Sequence, residues 1–149
     1  MSLAEKTAIT SAVFLFIVGL VTGIWKYAAI VRSDKAAAPV YVDVLHRATL
    51  MYSFACMILY ALAGLSVYPD SVNTAAVLSV VVFFVFANGT YLVHALLKDT
   101  DNQFEKPYRI GSWRMPKVLF HGSMFALIAG ELGGTLVLAV GALTRVWGA

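Results

Sequence analysis

The chain has 149 residues, of which 60% are hydrophobic and 13% charged, with a formal net charge of +3 and a mean hydropathy of +0.81. A soluble domain is nearer a quarter charged, so this composition excludes an ordinary soluble domain, a disordered chain and a nucleic-acid binder. The pI of about 9.1 reflects basic residues dispersed between apolar runs, a pattern that belongs to a membrane protein.

A helix crosses a hydrocarbon core of about 30 Å with roughly 20 apolar residues. Four stretches meet that length, predicted as helices over about 8–30, 44–67, 74–97 and 118–143. They predict an all-α, integral membrane four-helix bundle that uses the whole chain, 1–149, as one domain. The N-terminal run is longer than a signal-peptide core and lacks a small-residue cleavage pattern, so helix one is expected to remain as an anchor. Pro39, Pro69, Pro107 and Pro116 punctuate the connections.

Cytoplasmic loops collect Lys and Arg. Lys26, Arg32, Lys35 and Arg47 flank loop one, and Lys98, Lys106, Arg109, Arg114 and Lys117 lie in or beside loop three, leaving Lys6 and Arg145 for the other side. Loops one and three are therefore expected in the cytoplasm of a multi-pass inner-membrane protein, with both termini outside. Trp25, Tyr27, Tyr41 and Trp113 would mark the cytoplasmic interface, and Trp147 the opposite one.

Polar groups within apolar spans must face a partner or a cavity. His46 starts helix two, His94 ends helix three and His121 lies one turn into helix four, so antiparallel packing would bring all three imidazoles to one depth. Neutral imidazole is a common ligand for transition metals, and an apolar inter-helix space suits haem. Histidines at this depth also serve by bonding loop groups or water. Tyr52 and Asn88 lie about 9 Å deeper by helical rise, where they could meet across the bundle, and Tyr91 shares a face with His94. Glu131 falls near mid-membrane, about 15 Å below His121, where a carboxyl is expected to be protonated or hydrogen-bonded. Its neighbours Gly130, Gly133 and Gly134 suit close helix packing.

Other motifs fail. Cys56, the single cysteine, sits among apolar residues and reads as packing. Asp99, Asp101 and Gln103 open like a calcium loop, but Phe104 and Ile110 occupy the glycine and glutamate positions. That segment is expected to be a capped, solvated turn.

The size, the histidine at the head of helix two, and the Ala87–Tyr91 stretch Ala-Asn-Gly-Thr-Tyr in helix three resemble the styrene oxide isomerases, patchily over helices two to four. The resemblance implies a membrane enzyme that binds haem b and assembles as a trimer with haem between protomers. It implies that ferric iron acts as a Lewis acid on a small hydrophobic epoxide, giving a carbonyl compound. By it, His46 corresponds to the axial ligand and Tyr91 to the substrate-orienting tyrosine. Tyr52 stands where the family has an asparagine, and the spacing from Asn88 to Tyr91 differs from the family's by one residue. Catalytic roles then fall to Tyr91, Tyr52 and Asn88, with His94 and His121 as further candidates for the cofactor. Two alternatives stand beside this: a bis-histidine electron-transfer cytochrome, and a non-enzymatic membrane scaffold or accessory subunit.

Overall fold

The computed structural model describes residues 1–148. Four long helices dominate: α1 (Leu3–Val31), α2 (Val40–Leu65), α3 (Asp70–Leu97) and α4 (Lys117–Trp147). All four are long and apolar enough to cross a membrane. An all-α four-helix membrane bundle, as expected from composition, is the architecture. A two-stranded antiparallel ribbon, β1 (Arg109–Ile110) and β2 (Trp113–Arg114), interrupts the third connection.

The start of α1 is fixed by bonds to its free N–H groups. Ser2 Oγ accepts from Glu5 N at 3.1 Å, and the Glu5 carboxylate accepts from Ser2 N at 2.6 Å, a capping box that extends α1 beyond the apolar run. Asp70 adds bonds from Leu3 N and Ala4 N at 3.0 and 3.2 Å, joining the start of α1 to that of α3. Pro39, Pro69 and Pro116 immediately precede α2, α3 and α4, which have no side-chain cap; the ring-locked φ favours entry to a helix, and each proline carbonyl accepts a ladder bond, from Asp43 N, Asn73 N and Phe120 N. These added turns make the helices longer than hydropathy alone suggested.

The centre of the bundle is the pair α2 and α3. α1 packs on α2 and α3, α4 packs on α3 and α2, and α1 does not touch α4 among the described residues. The buried seam of α1 is Ala4, Ala8, Ala12, Leu15, Gly19 and Thr22. Steps of three and four along one face are the spacing of left-handed helix pairs, and small residues let the backbones approach. At Gly19 a Cβ would lie 2.5 Å from Leu50 Cδ2. Cys56 is fully buried in this core. Between α3 and α4, a Cβ on Gly134 would lie 2.6 Å from the Ala76 carbonyl oxygen and one on Gly130 would strike the Phe83 ring, while Ser79 Oγ donates to Gly130 O at 3.1 Å. Large apolar side chains such as Phe14, Ile24, Met51 and Phe125 stay exposed on the outer faces, as lipid contact requires.

The third connection is the capped turn expected, and most of residues 101–107 are exposed, but it is more ordered than a simple solvated turn. Lys98 takes the left-handed conformation, φ 51°, at the C-terminus of α3, and turns the chain back over the end of the bundle. Asp99 then reaches His94 and Gly111, Tyr41 accepts from Gln103 N at 2.6 Å, and Tyr108 stacks on Phe120 at 3.9 Å between centroids. Tyr108 is 5% exposed, so the segment forms a folded plug with its own small core.

Candidate functional site

His46 occupies the second turn of α2 and turns toward α1. Its Nδ1 lies 2.9 Å from the Gly19 carbonyl oxygen, and a Cβ on Gly23 would come within 2.9 Å of its Cε1. The absence of side chains at Gly19 and Gly23 makes room for the ring. A carbonyl only accepts, so Nδ1 carries the proton and the neutral ring keeps its lone pair on Nε2. That nitrogen has no hydrogen-bond partner among the described residues, and the side chain is half-buried at the edge of the α1–α2 pair. A backbone carbonyl on the other ring nitrogen is the usual orienting partner of a metal-bound histidine.

One turn before His46, Asp43 joins Lys26 of α1 at 2.6 Å and Arg47 at 2.7 Å. This cluster pins α1 to α2 beside the imidazole. The sequence offered the three charges but not their pairing.

His94 is built differently. It is 4% exposed, its Nδ1 donates to Asp99 Oδ1 at 2.8 Å, and its ring lies 4.9 Å from that of Tyr41, which also stacks on Tyr91 at 6.2 Å. Burial alone would raise the Asp99 carboxyl, but the bonds from His94 and Gly111 and the charge of His94 outweigh it, holding Asp99 below its ordinary range. The adjoining cavity, lined by Thr90, Tyr108 and Phe120 among others, holds about 40 Å³. Ligand pockets run to about 300 Å³ and more, so nothing of haem size enters here.

His121 is exposed, with Nε2 3.2 Å from the Tyr108 hydroxyl and its ring edge-on to Phe120. The three imidazoles thus belong to the same end of the bundle but do not converge. His94 and His121 both attach to the plug, and His46 faces α1. No group of three or more metal-ligating side chains is present among the described residues.

The deeper layer is also rearranged. The expected meeting of Tyr52 and Asn88 does not occur, because the two lie on successive rungs of the same α2–α3 face, about one turn apart in depth: Thr49 meets Asn88 and Tyr52 meets Phe84. Asn88 Oδ1 instead accepts from Thr49 Oγ1 at 3.2 Å, and Asn88 Nδ2 is buried without a partner. Tyr52 stacks on Phe84 at 4.1 Å between ring centroids. Glu131 borders an apolar groove formed by Phe84, Leu127, Ile128, Leu132 and Thr135, and its Oε1 is buried with no hydrogen-bond partner. Thr49, Asp99 and Tyr108 are the site residues that sequence reasoning missed. The available signals were a hydroxyl on the buried seam of α2 and a carboxylate five residues after His94.

Comparison with protein-family models, with curated proteins and with solved structures finds no match.

Proposed function

We propose that the chain is a haem-b membrane isomerase of the styrene oxide isomerase type, with His46 as the axial ligand and a small hydrophobic epoxide as substrate. The observation that carries the reading is the fixed tautomer of His46: its Nδ1 proton is committed to the Gly19 carbonyl and its Nε2 has no partner. The position at the edge of α1 and α2 favours a cofactor covered by a second copy of the chain, consistent with a trimer by family resemblance. The reading places loops one and three in the cytoplasm, supported by nine basic residues at that end against two at the other.

Ferric haem would supply Lewis acidity toward the epoxide oxygen. His46 would hold it through Nε2, with the Gly19 carbonyl fixing ring orientation. The chemistry is an isomerisation: one C–O bond breaks, a hydride moves to the adjacent carbon and a C=O bond forms, with no atom gained or lost and no external reductant. Tyr52 and Tyr91 can donate hydroxyl protons, and Asn88 Nδ2 is a buried donor with no internal use. Such donors stabilise negative charge developing on oxygen. Apolar walls would keep water from the electron-poor carbon and prevent diol formation.

The test is incubation of the purified, pigmented protein with an aryl epoxide and analysis of the product. Aldehyde formation, at least ten-fold slower in Tyr91→Phe with the visible spectrum unchanged, is expected. A haem-loaded protein that returns the epoxide untouched contradicts the isomerase assignment. Rapid binding of cyanide separates an open axial site from the closed pair of a bis-histidine cytochrome.

A further inference from the structure

A large crevice lies away from His46, between loop one and the start of the plug. It holds about 660 Å³ and is lined by Trp25, Arg32, Lys35, Val42, Lys98 and Asp101, with small apolar residues between them. Arg32 and Lys98 are the residues that end α1 and α3, so two helix termini and a loop deliver three cations to one opening. None of the three joins an ion pair among the described residues, whereas Lys26 and Arg47 nearby are both held by Asp43. Asp101 is the one carboxylate in the lining, and Asp34, adjacent to Lys35 in sequence, does not line it. The walls on the α1 and α2 side are apolar: Trp25, Ala29, Val40 and Val42. An opening of this size lined by both cations and apolar side chains fits an amphiphile better than a bare ion.

We propose that this crevice binds the phosphate group of an anionic phospholipid, with Arg32, Lys35 and Lys98 as its ligands and Trp25 against the glycerol and upper acyl region. Arg supplies a planar fork for phosphate oxygens, and the two lysines act as point charges. The crevice lies at the ends of two membrane-crossing helices, α1 and α3, where a headgroup layer would meet them and a lipid could enter from the bilayer.

The experiment is native mass spectrometry of the full chain in neutral detergent, titrated with phosphatidylglycerol and with phosphatidylcholine. One phosphatidylglycerol per chain, bound at least ten-fold more tightly than phosphatidylcholine, is expected. The combined substitution Arg32→Gln, Lys35→Gln, Lys98→Gln should abolish that preference, and the charge-preserving set Arg32→Lys, Lys35→Arg, Lys98→Arg should retain most of it. Removing two charges at the opposite end, Lys6→Gln with Arg145→Gln, should change nothing. Inorganic phosphate that binds alone and displaces the lipid at millimolar concentration would support the phosphate site but assign it to the free ion. Equal binding of the two lipids by the unmodified chain, or an undiminished preference in the triple Gln variant, would overturn the proposal.

Discussion

His46 and His94 stand at the same end of one bundle, and both give their Nδ1 proton to an oxygen. They differ in everything else. His94 is sealed at 4% exposure, stacked against Tyr41 and bound to a carboxylate that also holds Gly111 of the plug. His46 is half-buried, bound to a backbone carbonyl and free at Nε2. What surrounds an imidazole decides its use: in one case it fastens a loop, in the other it keeps a ring nitrogen without a partner among the described residues. Being at one depth is not sufficient to make three histidines a site.

Removing Asp99 should break the first half of this comparison most severely. In Asp99→Ala the His94 ring and the Gly111 N–H lose their acceptor in a nearly dry setting, a loss of about 3 kcal/mol. Thermal unfolding in detergent reads it, and the visible spectrum of any bound haem should be unaltered. The same carboxyl gives a pH signature. Its folded pKa is depressed, so its contribution is complete above the ordinary carboxylate range, near pH 4, and is lost as pH falls through the lower, folded value. Asp99→Asn should remove that acid-side slope.

Gly23→Ala sharpens the second half. The added methyl would lie 2.9 Å from His46 Cε1 and 3.2 Å from Nδ1, displacing the ring from Gly19. Haem affinity is expected to fall about ten-fold, the scale of an outer-shell change at a metal ligand, as measured by transfer of haem to apomyoglobin. Tyr41→Phe, which takes away the acceptor of Gln103 N–H, should cost about 1 kcal/mol of stability and leave haem binding unaffected. His121→Ala is the smallest change. Its ring is exposed, and about 0.5 kcal/mol is expected.

The fold was legible because lipid imposes one rule along the whole chain: about 20 apolar residues per crossing, with prolines between. The candidate residues could be placed by depth only to within about one turn, since rise per residue is constant but the axial offset between two helices is not written in either of them. Tyr52 and Asn88 share the α2–α3 face but lie in adjacent layers and take different neighbours, Phe84 and Thr49. The seating of each helix on the next is set by close contacts such as Gly19 on Leu50 and Gly134 on Ala76. The plug was missed for a different reason. Its order depends on a single left-handed residue, Lys98, and on pairings such as Tyr41 with Gln103 across 62 positions. A string of polar residues with two prolines carries no periodic signal for such a structure. The proposal of His46 as the haem ligand rests on a resemblance carried by short motifs, and the Nδ1 contact with the Gly19 carbonyl is the physical observation that supports it.

The most direct measurement is the visible spectrum of the purified chain and of His46→Gly, each supplied with haem, with and without added imidazole. The account predicts a Soret band in the unmodified protein, its loss in His46→Gly, and its return when imidazole occupies the vacated space. An unmodified protein that binds no haem, or a His46→Gly spectrum identical to the original without imidazole, would contradict it.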